Sequence, residues 1–492
     1  MNFKELISLC EPLAVQGNSA APMGNLVLDS RKTEPGDVFI AIRGYRSDGH
    51  HFLAQSARQG ASAMIVEDFD PHITVPQIKV GNTRNLLGRL AQAFEGNPSR
   101  KLKITGITGT NGKTTVATLI YQVLRRLDHP AALLGTVGTM INDKPGFSRL
   151  TTPDAVELAR TFRNVAEEDC TFACMEISSH ALDQQRAGGI DFAVAGFTNL
   201  SHDHLDYHKT ADAYARAKKR LFDGLKENAV AIVNTDDPRG EYMVQDCRAR
   251  VQRYGFNNNQ GDAILHNNSG GLILEVGGVR ITSPLIGTFN AYNLALAYRA
   301  CRALGCQQGE TVAALARSPG APGRMEKLVF DSAVDLPVIL IDYAHTPDAL
   351  KNVLETLRDV KKENETLHVV FGAGGDRDVS KRPLMAKYAE KYADFITVTS
   401  DNPRSEDPSV ILDDIFRGFT KTDQVIREAD RKEAIVKTIG RADSRSIILI
   451  AGKGHETHQE VKGVFHHFDD KLTALDALKV IEKSLAKAGR AH

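Results

Sequence analysis

A chain of 492 residues is too long for one hydrophobic core, and ordinary domain sizes divide it into about three domains. Its 61 basic and 61 acidic residues cancel, so composition offers neither a polyanion-binding surface nor attraction to a membrane, and no nucleic-acid or membrane partner is expected. Six cysteines without Cys-x-x-Cys pairing speak against zinc and a disulfide framework and for a reducing, cytoplasmic compartment. The opening "MNFKELISLCEPLAV" carries Glu5 and Glu11 and does not read as a signal peptide, and no window nears the roughly 18 apolar residues of a membrane span.

Between about 25 and 95, "NLVLDSRKTEPGDVFIAI" predicts two strands around a Pro-Gly turn, and "GHHFLAQSARQGASAMIVE" predicts a helix running into a strand. Periodicity lapses at "EGNPSRK", which bounds an N-terminal domain over 1–100. Strand and helix patterns then alternate through "LKITGIT", "KTTVATLIYQVLRRL", "AALLGTVGT", "FACMEIS", "FAVAGFTNL" and "AVAIVN", which predicts a mostly parallel sheet covered by helices. A Gly- and Asn-rich stretch over 255–285 reads as an antiparallel excursion, and "AYNLALAYRACRAL" as an amphipathic helix. "RSPGAPGRME" has the density of a linker or rigid loop, giving a central domain over 101–334 and a third over 335–492. In the third, "LPVILIDYAHTP", "TLHVVFGAGGDR", "FITVTSDNPR" and "SIILIAGKG" are four apolar strands ending in small and polar residues. Open α/β sheets bind ligands at such ends.

Two stretches carry chemistry on their own residues. "ITGITGTNGKTT" is strand, glycine loop, Lys, then Thr at a helix start, a layout that turns backbone N–H groups and a positive helix end toward phosphate oxygens. Lys113 adds a point charge and Thr114 offers a hydroxyl to Mg²⁺. The general phosphate-loop pattern wants Gly where Ile107 stands; Gly109 and Gly112 make a tighter variant. A plain glycine turn would explain the glycines but not the Lys-Thr-Thr after them. The second stretch is "DNPRSEDP", directly after the strand "YADFITVTS". Its proline stiffens the turn and gives Arg404 a defined direction, from which a guanidinium can hold a carboxylate through two parallel hydrogen bonds. On the local sequence alone, a surface turn with a solvated Arg is the favoured reading.

"TGTNGKTT", followed in order by "MEISSHALDQQR", "TNLSHDHLDYH", "ARAKKRLF", "GTFNAYNLALA", "PGRME", "DYAHTP" and "GAGGDRD", resembles the Mur ligase family, the ATP-dependent amino-acid ligases of peptidoglycan synthesis and their folylpolyglutamate relatives. The resemblance runs over about 25–460. It implies an α/β fold of three domains: an N-terminal UDP-binding domain, a central P-loop domain with a mostly parallel sheet, and a C-terminal Rossmann-like domain for the amino acid. By the same resemblance Gly109, Thr110, Asn111, Gly112, Lys113, Thr114 and Thr115 hold ATP. Asn293 joins them near adenine, Arg324 at the phosphates, and Asp342 and His345 from the third domain; Asn290 reads as a helix cap.

Thr114, Glu176 and His204 correspond to Mg²⁺ ligands, delivered in part by neighbouring strand ends, while His208 completes its motif without an assigned role. Lys218 alone would read as a solvated helix residue; it corresponds to a family lysine carbamylated by CO₂, which then binds a second Mg²⁺. Lys219 is adjacent, but Lys218 stands three residues before "LF", as in the family motif. Lys113, Lys218 and His204 are therefore the catalytic candidates. Ser30, Thr151, Thr152, Ser178, Gln184 and Arg186 match positions that hold the sugar-nucleotide peptide, though each alone reads as a cap or turn.

Family members adding the third peptide residue carry "DNPR" when that residue is meso-diaminopimelate and depart from it for lysine. Diaminopimelate keeps a second carboxylate beside its far ammonium, so Arg404 has a group to fork onto. Asp401, Asn402 and Pro403 complete the corner, Arg377 resembles a second carboxylate ligand, and Gly452 and Glu456 match positions that receive the far ammonium. The implied activity is an ATP-dependent amide ligase, acting as a monomer. It joins meso-diaminopimelate to the D-glutamate side-chain carboxylate of UDP-MurNAc-L-Ala-D-Glu through an acyl phosphate. A lysine-adding or folylpolyglutamate ligase, a nucleotide-binding switch and a structural cell-wall protein are the rivals.

Overall fold

The computed structural model describes residues 1–44, 47–146, 150–201, 203–257, 261–332 and 334–488. The chain forms two compact units, Met1–Asn258 with Leu296–Thr311, and Asn259–Ala295 with Val312–His492. No described helix is long and apolar enough to cross a membrane.

The first unit holds two sheets. The smaller has the order Ala14–Gln16, Gln77–Lys79, Ala63–Val66, Val38–Ile40, Leu26–Val27, parallel except at its first strand. The two strands and the helix-to-strand unit read from the sequence are all present; the preceding helix Phe3–Cys10, opened by an Asn2–Glu5 capping box, was not read. The larger sheet has the order Arg250–Tyr254, Val230–Asn234, Phe192–Phe197, Lys103–Thr108, Phe172–Glu176, Ala131–Gly135, Gly138–Ile141, Lys144–Gly146. Its first six strands are parallel and its last two antiparallel. The strands Ala131–Gly135, Phe172–Glu176 and Val230–Asn234 are buried along their whole length, as a parallel sheet covered on both faces requires. The phosphate-loop strand Lys103–Thr108 lies between Phe172–Glu176 and Phe192–Phe197. The strands leading to Glu176 and His204 are therefore not neighbours, as the sequence reading had them. They flank the strand of the glycine loop, so both strand ends emerge beside that loop.

In the second unit, Asp262–Asn268, Gly271–Val276 and Val279–Ser283 form the expected antiparallel excursion. The main sheet has the order Glu326–Lys327, Val338–Asp342, Ser446–Ala451, Thr366–Phe371, Phe395–Val398, Val425–Arg427, parallel except at the first strand. All four apolar strands read from the sequence are here, and the insertion of Ser446–Ala451 between Val338–Asp342 and Thr366–Phe371 makes a crossover point where their loops diverge. A polar hairpin, His458–Val461 with Val464–His467, follows the last of them.

Candidate functional site

In the first unit the glycine loop joins Lys103–Thr108 to the helix Lys113–Arg126. Gly109 has φ +150°, and a Cβ there would run into the Thr198 hydroxyl, so only glycine brings the loop this close to the neighbouring strand end. The loop is tied across by Thr110 N–H to the Asn199 carbonyl (2.8 Å) and Asn111 N–H to Asn199 Oδ1 (3.0 Å). Lys113 reaches back to the carbonyls of Gly109 (3.0 Å) and Thr110 (2.7 Å), which poses its ammonium over the loop mouth.

Thr114 Oγ1 donates to Glu176 Oε2 (2.8 Å), and Thr136 donates to the same carboxylate through N–H (2.7 Å) and hydroxyl (3.2 Å). Among the described residues no three His, Cys, Asp or Glu side chains converge to hold a metal. Thr114 and Glu176 nonetheless suit Mg²⁺: they are two hard oxygen donors at the loop's helix start, for an ion that keeps several waters. His204 is half-exposed, with φ +54° and its ring edge-on to His180 at 4.9 Å. His202 of the same motif lies outside the described residues.

Lys218 overturns the solvated reading that a helix lysine invites. It is 1 % exposed, donates to the Gly109 carbonyl (2.7 Å) and stands 4.4 Å from the Tyr214 ring centre. Burial, reinforced by the Lys113 charge, pulls its amine well below the ordinary lysine range. Lys219 on the same helix faces Asp223 and Asp246 instead. Tyr214 in turn shares a hydrogen bond with Thr110 Oγ1 (3.1 Å), so loop, lysine and tyrosine form one group.

The residues matched to the sugar nucleotide divide. Thr152 Oγ1 donates to the Glu176 carbonyl (2.9 Å) and accepts from Ser178 N–H (3.1 Å); Arg186 donates to the Thr152 carbonyl (3.0 Å) and, through Nε and Nη2, to Gln184 Oε1 (3.0 and 2.7 Å). Thr151 shares a hydrogen bond with Thr136 (3.1 Å), and Ser178 caps a short helix at Ala181 N–H (3.1 Å). These five thus surround the strand end at Glu176. Ser30 belongs to the other sheet's loops, where its hydroxyl donates to Gln55 Oε1 (3.0 Å).

In the second unit a cavity of about 230 Å³ opens at the carboxyl ends of the four apolar strands, lined by His345, Arg377, Asp401, Asn402, Arg404 and Glu456 among others. The glycine run after Thr366–Phe371 makes room for the corner: a Cβ on Gly375 would strike the Pro403 carbonyl. Asn402 Nδ2 donates to Glu456 Oε2 (2.9 Å), and Lys453, wholly buried, donates to Asn402 Oδ1 (3.1 Å) and Glu456 Oε2 (3.2 Å). Asp401 is buried, and among the described residues its carboxylate accepts no hydrogen bond. Desolvation pushes its pKa up, against the pull of Arg431 and Lys453. Arg404 donates through Nη1 to the Gly375 carbonyl (2.7 Å) and pairs through Nε with Glu460 (3.2 Å). Beneath the corner Arg431 and Asp470, both fully buried, pair through two 2.7 Å bonds, and Arg431 also holds the carbonyls of Ser400 (3.2 Å) and Ala451 (3.0 Å).

Asp342 spends both oxygens on backbone N–H groups, those of Met325 (2.7 Å) and Ala344 (2.8 Å). His345 is exposed and donates Nδ1–H to the Tyr343 carbonyl (2.8 Å). The Arg324 guanidinium lies 4.8 Å from the Tyr343 ring centre, and its buried Nε has no hydrogen-bond partner among the described residues. Asn290 is not the helix cap. The helix begins at Thr288, two residues earlier, and Asn290 donates from inside it to the Ile286 carbonyl (2.8 Å) while accepting from Asn293 (3.0 Å). Sequence reasoning also missed Thr136, Tyr214, Lys453, Glu460 and the Arg431–Asp470 pair. Thr136 and Lys453 lay within quoted stretches, "AALLGTVGT" and "SIILIAGKG", and nothing in either signals its contact.

Three comparisons bear on these two sites. The Mur ligase middle domain matches residues 107–301, the glutamate ligase domain of the Mur ligases matches 323–454, and the Mur ligase family catalytic domain matches 23–95. The UDP-N-acetylmuramoyl-L-alanyl-D-glutamate–2,6-diaminopimelate ligase of Cytophaga hutchinsonii is 43 % identical over 98 % of this chain and all of its own length. The protein of the same name from Geobacillus thermodenitrificans is 42 % identical over 97 % of this chain and 99 % of its own. A solved structure described by that name superposes with a TM-score of 0.71 at 35 % identity, covering 93 % of this chain and 95 % of the other. With three domains matched in order and relatives alike over nearly their whole length, the chain belongs to the Mur ligase family.

Proposed function

We propose that the protein is an ATP-dependent amide ligase that adds meso-2,6-diaminopimelate to the D-glutamate side-chain carboxylate of UDP-MurNAc-L-Ala-D-Glu, a step of peptidoglycan precursor synthesis. The relatives named for this reaction, alike over nearly the whole chain, support the overall reaction. The observation that carries the acceptor is the cavity of the second unit. A buried carboxylate without a hydrogen bond, Asp401, and a partly engaged guanidinium, Arg404, line the same 230 Å³. A buried carboxylate that accepts no hydrogen bond is costly, and the guanidinium, paired with Glu460 at Nε, keeps its Nη2 for a further acceptor. A ligand end bearing both an ammonium and a carboxylate satisfies the two together. Diaminopimelate carries such an end beyond its reacting amine; lysine lacks the carboxylate. Arg377 adds a second cation to the same wall, and Asn402, braced by Lys453 and Glu456, keeps the corner polar and fixed.

The reaction divides into two transfers. A side-chain carboxylate oxygen of the D-glutamate attacks the γ-phosphorus of ATP; the β–γ bridging P–O bond breaks, ADP leaves and an acyl phosphate forms. The amine nitrogen of diaminopimelate then attacks the acyl carbon, and the tetrahedral intermediate expels phosphate as the amide forms. The loop's backbone N–H groups and Lys113 bind phosphate oxygens, with the ammonium exchanging its loop carbonyls for them. Thr114 and Glu176, with His204, would hold Mg²⁺, which would supply charge that neutralises those oxygens. Lys218 fits carbamylation, because an uncharged amine is what adds to CO₂, losing a proton to become an anionic carbamate, and burial favours the uncharged form of this amine. Thr151, Thr152, Ser178, Gln184 and Arg186 hold the peptide end of the sugar nucleotide and Ser30 its uridine end. Six free thiols suit the reducing cytoplasm where this reading places the protein.

Incubation of the protein with UDP-MurNAc-L-Ala-D-Glu, ATP and each acceptor, followed by mass spectrometry, tests the reading. The expected product carries diaminopimelate in amide linkage, with one phosphate released per product. Turnover with lysine and none with diaminopimelate would overturn the acceptor assignment.

A further inference from the structure

The corner at Asp401–Arg404 is not held by its proline alone. Arg404 has φ +51°, a left-handed conformation that costs a non-glycine residue free energy and persists only where neighbours enforce it. Here the hairpin enforces it. Arg404 N–H donates to the Glu460 carbonyl (3.0 Å), and the Arg404 carbonyl accepts from Lys462 N–H (2.6 Å). Glu460 N–H donates to Asn402 Oδ1 (3.0 Å), and Gln459 Nε2 to the Asp401 carbonyl (2.6 Å). The corner is in effect an extra strand segment on His458–Val461.

Glu460 then makes one more contact, to the side chain. Its carboxylate takes the Nε edge of Arg404 at 3.2 Å, while Nη1 donates to the Gly375 carbonyl at 2.7 Å. Two fixed points set the plane of the guanidinium, and Nη2 is left without a partner among the described residues. We propose that Glu460 is a positioning residue: it orients Arg404 so that the Nη1/Nη2 end of its fork faces the far carboxylate of the incoming amino acid. It thereby adds to the preference for a diamino diacid. This rests on the acceptor reading above.

Glu460 also has an opposing effect, since its negative charge repels a ligand carboxylate. Orientation wins for two reasons. The positive guanidinium lies between the two carboxylates, and Arg404 and Glu460 each keep about a quarter of their side-chain surface in water, where repulsion at the longer distance is screened. The saved cost of ordering a long side chain is not screened at all.

Steady-state kinetics of the full chain with Glu460→Ala and Glu460→Gln decide the matter. Glu460→Ala is expected to raise the KM for diaminopimelate about three- to tenfold, the worth of one rotamer-rich side chain ordered on binding, with kcat and the KM for ATP unchanged. Glu460→Gln keeps an oxygen of the same reach beside Nε and should restore the KM to near the parent value. The ratio of kcat/KM for diaminopimelate over lysine should fall only in the Ala variant. An unchanged or lowered KM in Glu460→Ala overturns the proposal; a lowered one would mean that Glu460 occupies the ligand's place. If the parent protein makes no diaminopimelate product, the acceptor reading itself has failed. If it does and both variants match it, only the positioning role has.

Discussion

The phosphate loop and the acceptor corner solve the same problem, holding a charged ligand at strand ends, with opposite materials. The loop is nearly self-contained: Lys113 bonds to carbonyls three and four residues before it, and its donors are backbone N–H groups at a helix start. The corner is assembled from distant chain, with Gly375, Asn402, Lys453, Glu456 and Glu460 meeting only because three strand ends and a hairpin converge. A site for a phosphate common to many enzymes can be made of backbone. A site that must tell one amino acid from another is made of side chains, each holding the next.

The largest expected effect breaks the loop. Lys113→Ala removes the ammonium that meets phosphate oxygens, so phosphate release with all substrates present should fall at least about a hundredfold. Circular dichroism should be unchanged, because the loop's glycines and its ties to Asn199 remain. If activity survives within tenfold, the backbone alone does the binding and the contrast is sharper than drawn.

These two materials also explain what the sequence discloses. The loop is contiguous, so its strand, glycines, Lys and Thr are readable in one stretch, and the four apolar strands announce themselves by burial on both faces. The corner's residue types are readable, but their bracing is not. The hairpin strand His458–Val461 is half-buried throughout and Val464–His467 exposed throughout, so neither shows the alternation that marks a strand. Lys453 and Lys218 look like any solvated lysine, since burial of a cation depends on what folds over it. For Lys218 the family motif was the only signal. Asn290 was misread for the opposite reason: capping propensity is a local prior, and the register of the helix start overrode it.

A smaller effect probes the corner's fork. Arg404→Lys keeps one positive charge but cannot bond Glu460, the Gly375 carbonyl and a ligand carboxylate in one plane. The KM for diaminopimelate should rise about ten- to a hundredfold, the worth of one bidentate charge-assisted pair, while the KM for ATP stays within about twofold. Equal rises in both would mean that the two regions are not the separate binding elements contrasted here.

The smallest effect sets function against stability at Asp401. Its carboxylate is buried, and desolvation outweighs the attraction of Arg431 and Lys453, so its pKa in the folded protein lies above the ordinary value. A carboxyl raised on folding binds its proton more tightly in the folded state, so folding stability is lost as pH rises from the unfolded value, about 4, through the folded one. Asp401→Asn carries no charge and escapes that loss. Measured by urea unfolding, the variant should match the parent below about pH 4 and exceed it near neutrality by about 1 kcal/mol, with the gap opening across the interval between the two pKa values. The same variant should bind diaminopimelate more weakly, because an amide cannot neutralise the far ammonium. A variant that is less stable at neutral pH would mean that Arg431 and Lys453 already satisfy the carboxylate, and the corner would then be a finished ion-pair network with no charge held open for a ligand.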